Sequence, residues 1–179
     1  PGTDIAYLGA MIKYIIDNRE YDEKYLKNFT NAYYKVSKDY KFEDGFFSGF
    51  NEETRKYDTS TWGYQLGADR KPIIADNLED PDTVFSKLKE HYSRYTMELA
   101  EKITGMPVEK ILEITETFCR IRPGSFLYAL GMTQHTTAVQ GIRAYAIIQL
   151  LLGNIGKAGG SVQALRGEPN VQGSTDMAN

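Results

Sequence analysis

The sequence has few of the residues that bind metals or form cross-links. Among its 179 residues are one cysteine, Cys119, and two histidines, His91 and His135. One cysteine excludes an internal disulfide and excludes a cysteine cluster for zinc or iron–sulfur within the chain. Cys119 lies in ILEITETFCR, among apolar residues at helical spacing, which predicts a buried, unreactive thiol. No metal cluster, and no nucleophile with a base beside it, is recognisable in the sequence.

The sequence also lacks a long apolar run and a strong excess of charge. The longest run, AIIQLLLG from Ala146, is far shorter than the roughly 20 residues that a membrane span needs. A formal net charge of −3 does not favour a general nucleic-acid binder. No signal peptide is visible. The chain begins at Pro1 and ends in a polar stretch that contains glycine, so we expect a piece of a longer polypeptide.

What remains is an ordinary globular composition, with 41% hydrophobic and 25% charged residues. This length predicts one domain over residues 1–179. The segment PGTDIAYLGAMIKYIIDN, with Thr3 or Asp4 as its cap, predicts a helix because its apolar residues recur at three- and four-residue steps. Residues 41–76 show no sustained period and predict an irregular insertion, with one hairpin near Trp62.

Helices are predicted again after this insertion. Asp80 and Pro81 have the residue types of an N-cap and a first helical position. Thr96 predicts the next cap, and Gly105 predicts the end of that helix. A further helix is predicted from Pro107. The last two helices resemble a helix–turn–helix in outline, but no basic face accompanies them, which favours ordinary packing helices.

The last third of the sequence predicts a strand–helix–strand unit. SFLYALG, residues 125–131, is a short apolar run with aromatics and is typical of a buried parallel strand. HTTAVQGIRAYAIIQLLLGN predicts a long helix that ends at Gly153, and SVQAL predicts a second short strand. This order is that of a βαβ unit and indicates an α/β fold.

The turn between the first of these strands and the long helix is a candidate binding site. Ligands of open α/β sheets bind at the carboxyl ends of the strands, where free amides at a helix start favour anions. Gly131, Thr133, Gln134, His135 and Thr136 place donors and acceptors in this turn. The same residues would also serve as helix caps alone, since most such turns bind no ligand.

Arg166 stands out in LRGEPNVQGSTD, residues 165–176, a run with too few aliphatic residues for a core element. Its guanidinium offers a planar fork that matches a carboxylate. Gly167 permits a close backbone approach or a sharp turn. Composition alone favours a surface loop that carries a solvated arginine, because loops are polar and exposed by default.

Three motifs together carry a resemblance to a known family. GMTQHT, QLLLGNIGKAGG and ALRGEPNVQGSTD closely resemble the catalytic (alpha) subunit of molybdopterin-dependent formate dehydrogenases, in the dimethyl sulfoxide reductase group. FEDGFFSGFNEETRKYDTSTWGYQL and HYSRYT are similar to the respiratory, periplasm-facing subtype. The resemblance covers nearly the whole chain and implies an internal fragment of that subunit.

The resemblance implies oxidation of formate to carbon dioxide, or its reverse, at molybdenum or tungsten held by two molybdopterin guanine dinucleotides. It implies a selenocysteine or cysteine metal ligand and a 4Fe–4S iron–sulfur cluster, both outside this chain. Formate, the remainder of the alpha subunit and an iron–sulfur electron-transfer beta subunit are the implied partners. It also implies a Rossmann-like parallel sheet flanked by helices, within a larger multidomain fold.

Site residues follow from the same motifs. Arg166 matches the arginine that orients the formate carboxylate beside the metal. The stretch that matches the lining of the pterin comprises Gly167, Glu168, Asn170 and Gln172. The turn that matches a contact with one dinucleotide comprises Gly131, Thr133, Gln134 and His135. Two other functions stay open: another molybdopterin oxidoreductase such as a nitrate reductase, and a non-catalytic α/β module that binds a nucleotide.

Overall fold

The computed structural model describes residues 2–43, 45–167 and 171–173. Its contacts divide the chain into two compact units. One unit combines Pro1–Tyr25 with Tyr92–Asn179, and the other is Leu26–His91. A single domain over 1–179, with 41–76 as an insertion, stays a prediction. The helices among the described residues are α1 (Asp4–Asp17), α2 (Glu23–Phe29), α3 (Val84–Tyr92), α4 (Met97–Thr104), α5 (Val108–Arg120), α6 (Leu130–Thr133) and α7 (Ala138–Leu151).

Helix α1 is the centre of the first unit. Leu8, Met11, Ile12 and Ile15 are buried on it at helical spacing, and it packs against α4, α5 and α7. Burying an apolar side chain of this size contributes roughly 1.5–3 kcal/mol to folding. The predicted first helix is therefore confirmed.

The first unit also contains a parallel sheet of two strands, β5 (Ser125–Tyr128) and β6 (Ser161–Ala164). Ser125 pairs with Ser161, and Tyr128 pairs with Ala164. Helix α7 connects the two strands, so the predicted βαβ unit and the α/β class are confirmed. The first strand is shorter than predicted, because the chain turns into α6 after Ala129.

The boundaries of α3 and α4 show which cap residues act. Thr96 accepts a hydrogen bond from Leu99 N–H at 3.1 Å, and Gly105 ends α4 with φ +75°. Both α4 predictions are confirmed. The predicted start of α3 at Asp80 and Pro81 is wrong, since α3 begins at Val84. The buried Thr83 caps this helix instead.

The second unit contains short antiparallel ladders. Strand β1 (Phe42–Glu43) pairs with β2 (Phe46–Phe47), and β3 (Phe50–Asn51) pairs with β4 (Lys56–Tyr57). The predicted hairpin near Trp62 is confirmed, since antiparallel pairing flanks that residue on both sides. The β3–β4 pair precedes it, and after it Leu66 bridges Pro72. Trp62 packs against the ladders through its ring, 5.3 Å from that of Phe47.

Candidate functional site

Two chain segments leave the same edge of the parallel sheet. The backbone N–H of Leu165 donates to Tyr128 O over 2.7 Å, which extends the β5–β6 pairing by one step beyond Ala164. Arg166 follows Leu165 directly, and the turn that contains Gly131 follows Tyr128. The backbone of Arg166 and the start of this turn are thereby held at the carboxyl end of both strands. This is the edge at which open α/β sheets bind ligands.

Arg166 is exposed at this edge. It makes no hydrogen bond or ion pair with any other residue that the structure describes. An arginine whose five N–H donors have no protein acceptor can bind an external carboxylate with two parallel hydrogen bonds.

The turn after β5 is more ordered than its sequence suggests. Residues Leu130–Thr133 form the single helical turn α6, and the amide of Gln134 donates to Leu130 O at 3.0 Å. His135 Nε2 lies 2.9 Å from Gly131 O, and because a carbonyl only accepts, that nitrogen carries the proton and donates. Side-chain and backbone hydrogen bonds together therefore fix the conformation of this turn.

Three consecutive amides follow α6 without an acceptor in the described part of the chain. The N–H groups of His135, Thr136 and Thr137 donate to no other residue in the described ranges. They directly precede α7, where Thr137 occupies the N-cap position without a side-chain cap bond. Free amides at the start of a 14-residue helix combine with the helix dipole to favour an anion such as phosphate.

Aromatic side chains support the edge from one face of the sheet. Phe126 in β5 stacks on Tyr145 of α7 with ring centroids 4.5 Å apart, and Tyr128 lies 6.0 Å from the same ring. Burial raises the pKa of the Tyr145 hydroxyl, and the Asp4 carboxylate raises it further, so this phenol is neutral at pH 7. Leu127, between the two strand aromatics, points the other way and is 58% exposed.

The residues after Arg166 are described only in part. Gly167 and Gln172 are exposed, and Val171 N–H donates to Gly167 O over 3.0 Å. The other two predicted pterin contacts, Glu168 and Asn170, lie outside the described residues. Of the predicted turn residues, Gly131, Thr133 and Gln134 are exposed and His135 is half-buried.

The environment of Cys119 differs from that of a reactive cysteine. It is 5% exposed, and burial raises the pKa of its thiol to about 11, with smaller contributions from the Glu20 and Glu116 carboxylates. The prediction of a buried thiol is confirmed, and its low reactivity stays a prediction. Across the described ranges, no group of three or more His, Cys, Asp or Glu side chains is arranged to hold a metal. No described helix combines the length and apolarity of a membrane span.

Gln149 is a buried polar residue to which the sequence-based interpretation assigned no role. It is fully buried in α7, and its Nε2 donates to Gly124 O at 2.8 Å and to Ser161 O at 2.6 Å. Its Oε1 accepts from Asn154 Nδ2 at 2.6 Å. The signal in the sequence was the one polar residue within the apolar run AIIQLLLG.

Comparisons with known proteins identify relatives of the chain. No family model matches it. It is 51% identical to "formate dehydrogenase 2 subunit alpha (cytochrome c-553)" of Nitratidesulfovibrio vulgaris over 99% of the chain. It is 48% identical to the formate dehydrogenase subunit alpha of Megalodesulfovibrio gigas over 98% of the chain. It is also 47% identical to the nitrate-inducible formate dehydrogenase major subunit of Escherichia coli over 98% of the chain.

The chain spans 18% of the length of each of these relatives. The level of identity is similar in all three relatives, and each alignment covers almost the whole chain. As a segment of a longer subunit, the chain belongs to the family of formate dehydrogenase alpha (catalytic) subunits.

Proposed function

We propose that the chain supplies the substrate arginine and one cofactor-binding turn to a formate dehydrogenase catalytic subunit. The observation that carries this proposal is the position of Arg166, one residue beyond the hydrogen bond between Leu165 and Tyr128. Arg166 is exposed and follows β6 at the carboxyl end of the sheet. The turn with the amides of His135, Thr136 and Thr137 follows β5 at the same end. A carboxylate ligand and a phosphate-bearing ligand are the partners that these two features suit.

The chemistry of formate explains the need for an arginine. Formate is a small planar anion, and it loses one proton and two electrons when it becomes carbon dioxide. Arg166 would hold both carboxylate oxygens in its planar fork, which fixes the direction of the C–H bond. When bound, the molybdenum or tungsten centre supplies the two-electron redox chemistry.

The turn fits a molybdopterin guanine dinucleotide through its diphosphate. The amides of His135, Thr136 and Thr137 have no acceptor among the residues that the structure describes, and Thr133 and Gln134 are exposed beside them. Gly167 and Gln172 would line the pterin, together with Glu168 and Asn170. The selenocysteine or cysteine ligand and the 4Fe–4S cluster would be supplied by parts of the subunit outside this chain.

The proposal extends to partners and compartment. The names of the relatives describe them as an alpha or major subunit, which supports a multi-subunit enzyme. The partners of this chain would be the remainder of the alpha subunit and an iron–sulfur beta subunit that accepts electrons. We also propose a periplasmic location, which rests on the sequence resemblance to the respiratory subtype. We expect the chain alone to be inactive, because the metal ligand would lie elsewhere.

The test compares substrates on the full-length enzyme that carries this segment. The purified protein is assayed with formate and an artificial electron acceptor, and separately with nitrate and an artificial donor. The proposal predicts turnover of formate, with molybdenum or tungsten and guanine dinucleotide in the preparation. Turnover of nitrate without turnover of formate would favour the rival molybdopterin oxidoreductase. A preparation free of metal and pterin would favour a nucleotide-binding module.

A further inference from the structure

We propose that Gln149 is a positioning residue for Arg166, through the alignment of β6 against β5. This inference rests on the proposed function, since it concerns how the substrate arginine is held. Gln149 itself lies at the opposite end of the strands from Arg166 and would not touch formate.

A single side-chain amide ties both strands to α7. Gln149 Nε2 donates to Gly124 O, which immediately precedes β5, and to Ser161 O, in the first residue of β6. The two acceptors are 2.8 Å and 2.6 Å away. Because Gln149 is fully buried, water is not available to replace these bonds when the amide is removed.

The orientation of this amide is itself fixed. Asn154 is also fully buried, and its Nδ2 donates to Gln149 Oε1. The backbone N–H of Asn154 donates to Gln149 O at 3.0 Å. A Cβ at Gly160 would lie 2.1 Å from Asn154 O, so the residue before β6 packs directly on this network. The start of β6 is thereby set by Gln149 and Asn154 together.

The short ladder transmits this alignment to the binding edge. Only four residue pairs, from Ser125–Ser161 to Tyr128–Ala164, join β5 and β6. A strand rises about 3.3 Å per residue, so Arg166 lies roughly 16 Å along the chain from Ser161. A shift or tilt of β6 moves Leu165 away from Tyr128 O and moves Arg166 with it. A slip by one residue would turn every side chain of β6 to the opposite face.

A buried amide could also stabilise the fold without any specific effect on formate. The two roles differ in their coupling to Arg166. If Gln149 acts through the arginine, removing both side chains should raise the KM for formate little more than removing the arginine fork alone. If it only stabilises the fold, the two effects on the KM for formate should multiply, as for independent sites.

The experiment is a double-mutant cycle in the full-length holoenzyme. The variants are Gln149→Met, Arg166→Lys and the double variant. Gln140→Met is the matched control, because Gln140 lies on the same helix and is exposed. Steady-state kinetics give kcat and KM for formate, and hydrogen exchange of the peptide Ser161–Leu165 reports on the pairing of Leu165 with Tyr128.

The proposal predicts that Gln149→Met raises the KM for formate on the order of tenfold while kcat changes by less than about threefold. It predicts faster exchange of the Leu165 amide, a double variant close to Arg166→Lys alone, and no effect of Gln140→Met. An unchanged KM, multiplying effects in the double variant, or unchanged exchange would each overturn the proposal.

Should Gln149→Met fail to fold, Asn154→Ala replaces it in the same cycle. That variant removes the hydrogen bond to Gln149 Oε1 and truncates a buried side chain, but it keeps both Gln149 Nε2 donors. A smaller rise in KM with the same non-additivity is expected, and additivity overturns the proposal. A separate result would overturn the proposed function, namely that Arg166→Lys alone leaves the KM and kcat for formate unchanged. Faster exchange in Gln149→Met would still report on strand alignment in that case.

Discussion

Leu165 and Tyr128 are joined by a 2.7 Å hydrogen bond from the backbone N–H of the first to the carbonyl oxygen of the second. This bond lies one step beyond the last residue pair of the β5–β6 ladder. At the other end of the ladder, the hydroxyls of Ser125 and Ser161 are 2.9 Å apart. The two strands are therefore held together over their full length. The backbone position of Leu165 is fixed, and with it the start of Arg166.

The cap of α4 gives the first prediction. Thr96 Oγ1 accepts from Leu99 N–H, so Thr96→Ala should lower the free energy of unfolding by about 1 kcal/mol. The matched control is Thr137→Ala, because Thr137 occupies the N-cap position of α7 without a side-chain cap bond. Urea unfolding of the 179-residue chain measures both. Equal losses in the two variants would show that the hydroxyl of Thr96 has no capping role.

Gly160 gives the second prediction. A Cβ there would lie 2.1 Å from the backbone oxygen of Asn154, and a backbone atom cannot move aside as a flexible side chain does. Gly160→Ala should therefore destabilise the chain by about 1–3 kcal/mol. Gly63→Ala is the control, because a Cβ there has no neighbour within 4 Å among the described residues. Urea unfolding that gives the same midpoint for both variants contradicts the close packing of Gly160 on Asn154.

The third prediction concerns the pH dependence of the Cys119 thiol. Its pKa is raised to about 11 from an ordinary value of 9.0, mainly by burial. At pH 8 the native chain should hold about a hundredfold less thiolate than the unfolded chain, and it should react with iodoacetamide at least that much more slowly.

Mass spectrometry at several pH values measures this reaction. The rate for the native chain should keep rising up to about pH 11, and the rate in denaturant should level off well below that pH. The sign for stability follows. Between the unfolded and folded pKa values the unfolded chain has released the proton and the folded chain has kept it, so stability falls as pH rises there. Equal rates with and without denaturant at pH 8 would argue against a buried thiol.

Sequence periodicity was sufficient to predict the main helices and strands of the first unit. The apolar spacing of α1, and the order strand, helix, strand from Ser125 to Ala164, appear in the structure as predicted. These predictions succeed because burial of one helical face and of short parallel strands leaves a direct trace in the residue pattern.

Local cap signals were ambiguous where several candidates occur together. Asp80, Asp82 and Thr83 can each cap a helix, and the pattern alone favoured Asp80. In the structure Asp80 is paired with Lys35 at 2.6 Å, and Thr83 Oγ1 accepts from Ser86 N–H at 3.1 Å. Asp80 thus contacts a residue 45 positions away, and Thr83 supplies the cap.

The candidate site was only partly accessible to sequence reasoning. The βαβ order predicts that the site lies at the carboxyl ends of the strands. Arg166 was chosen because the sequence around it resembles a family motif. The short helix α6 and the bond from His135 Nε2 to Gly131 O were not predicted. Gln149 was missed because an apolar run conceals one polar residue whose acceptors are backbone carbonyls far along the chain.

The most direct test of the central claim is the kcat/KM for formate of the Arg166→Lys variant in the full-length enzyme. Lysine keeps the charge but loses the planar fork, so kcat/KM should fall about a hundredfold while metal and dinucleotide content stay unchanged. Arg70→Lys, at an exposed arginine in the second unit, should have no effect. Wild-type kcat/KM in Arg166→Lys would contradict the assignment of this guanidinium to formate.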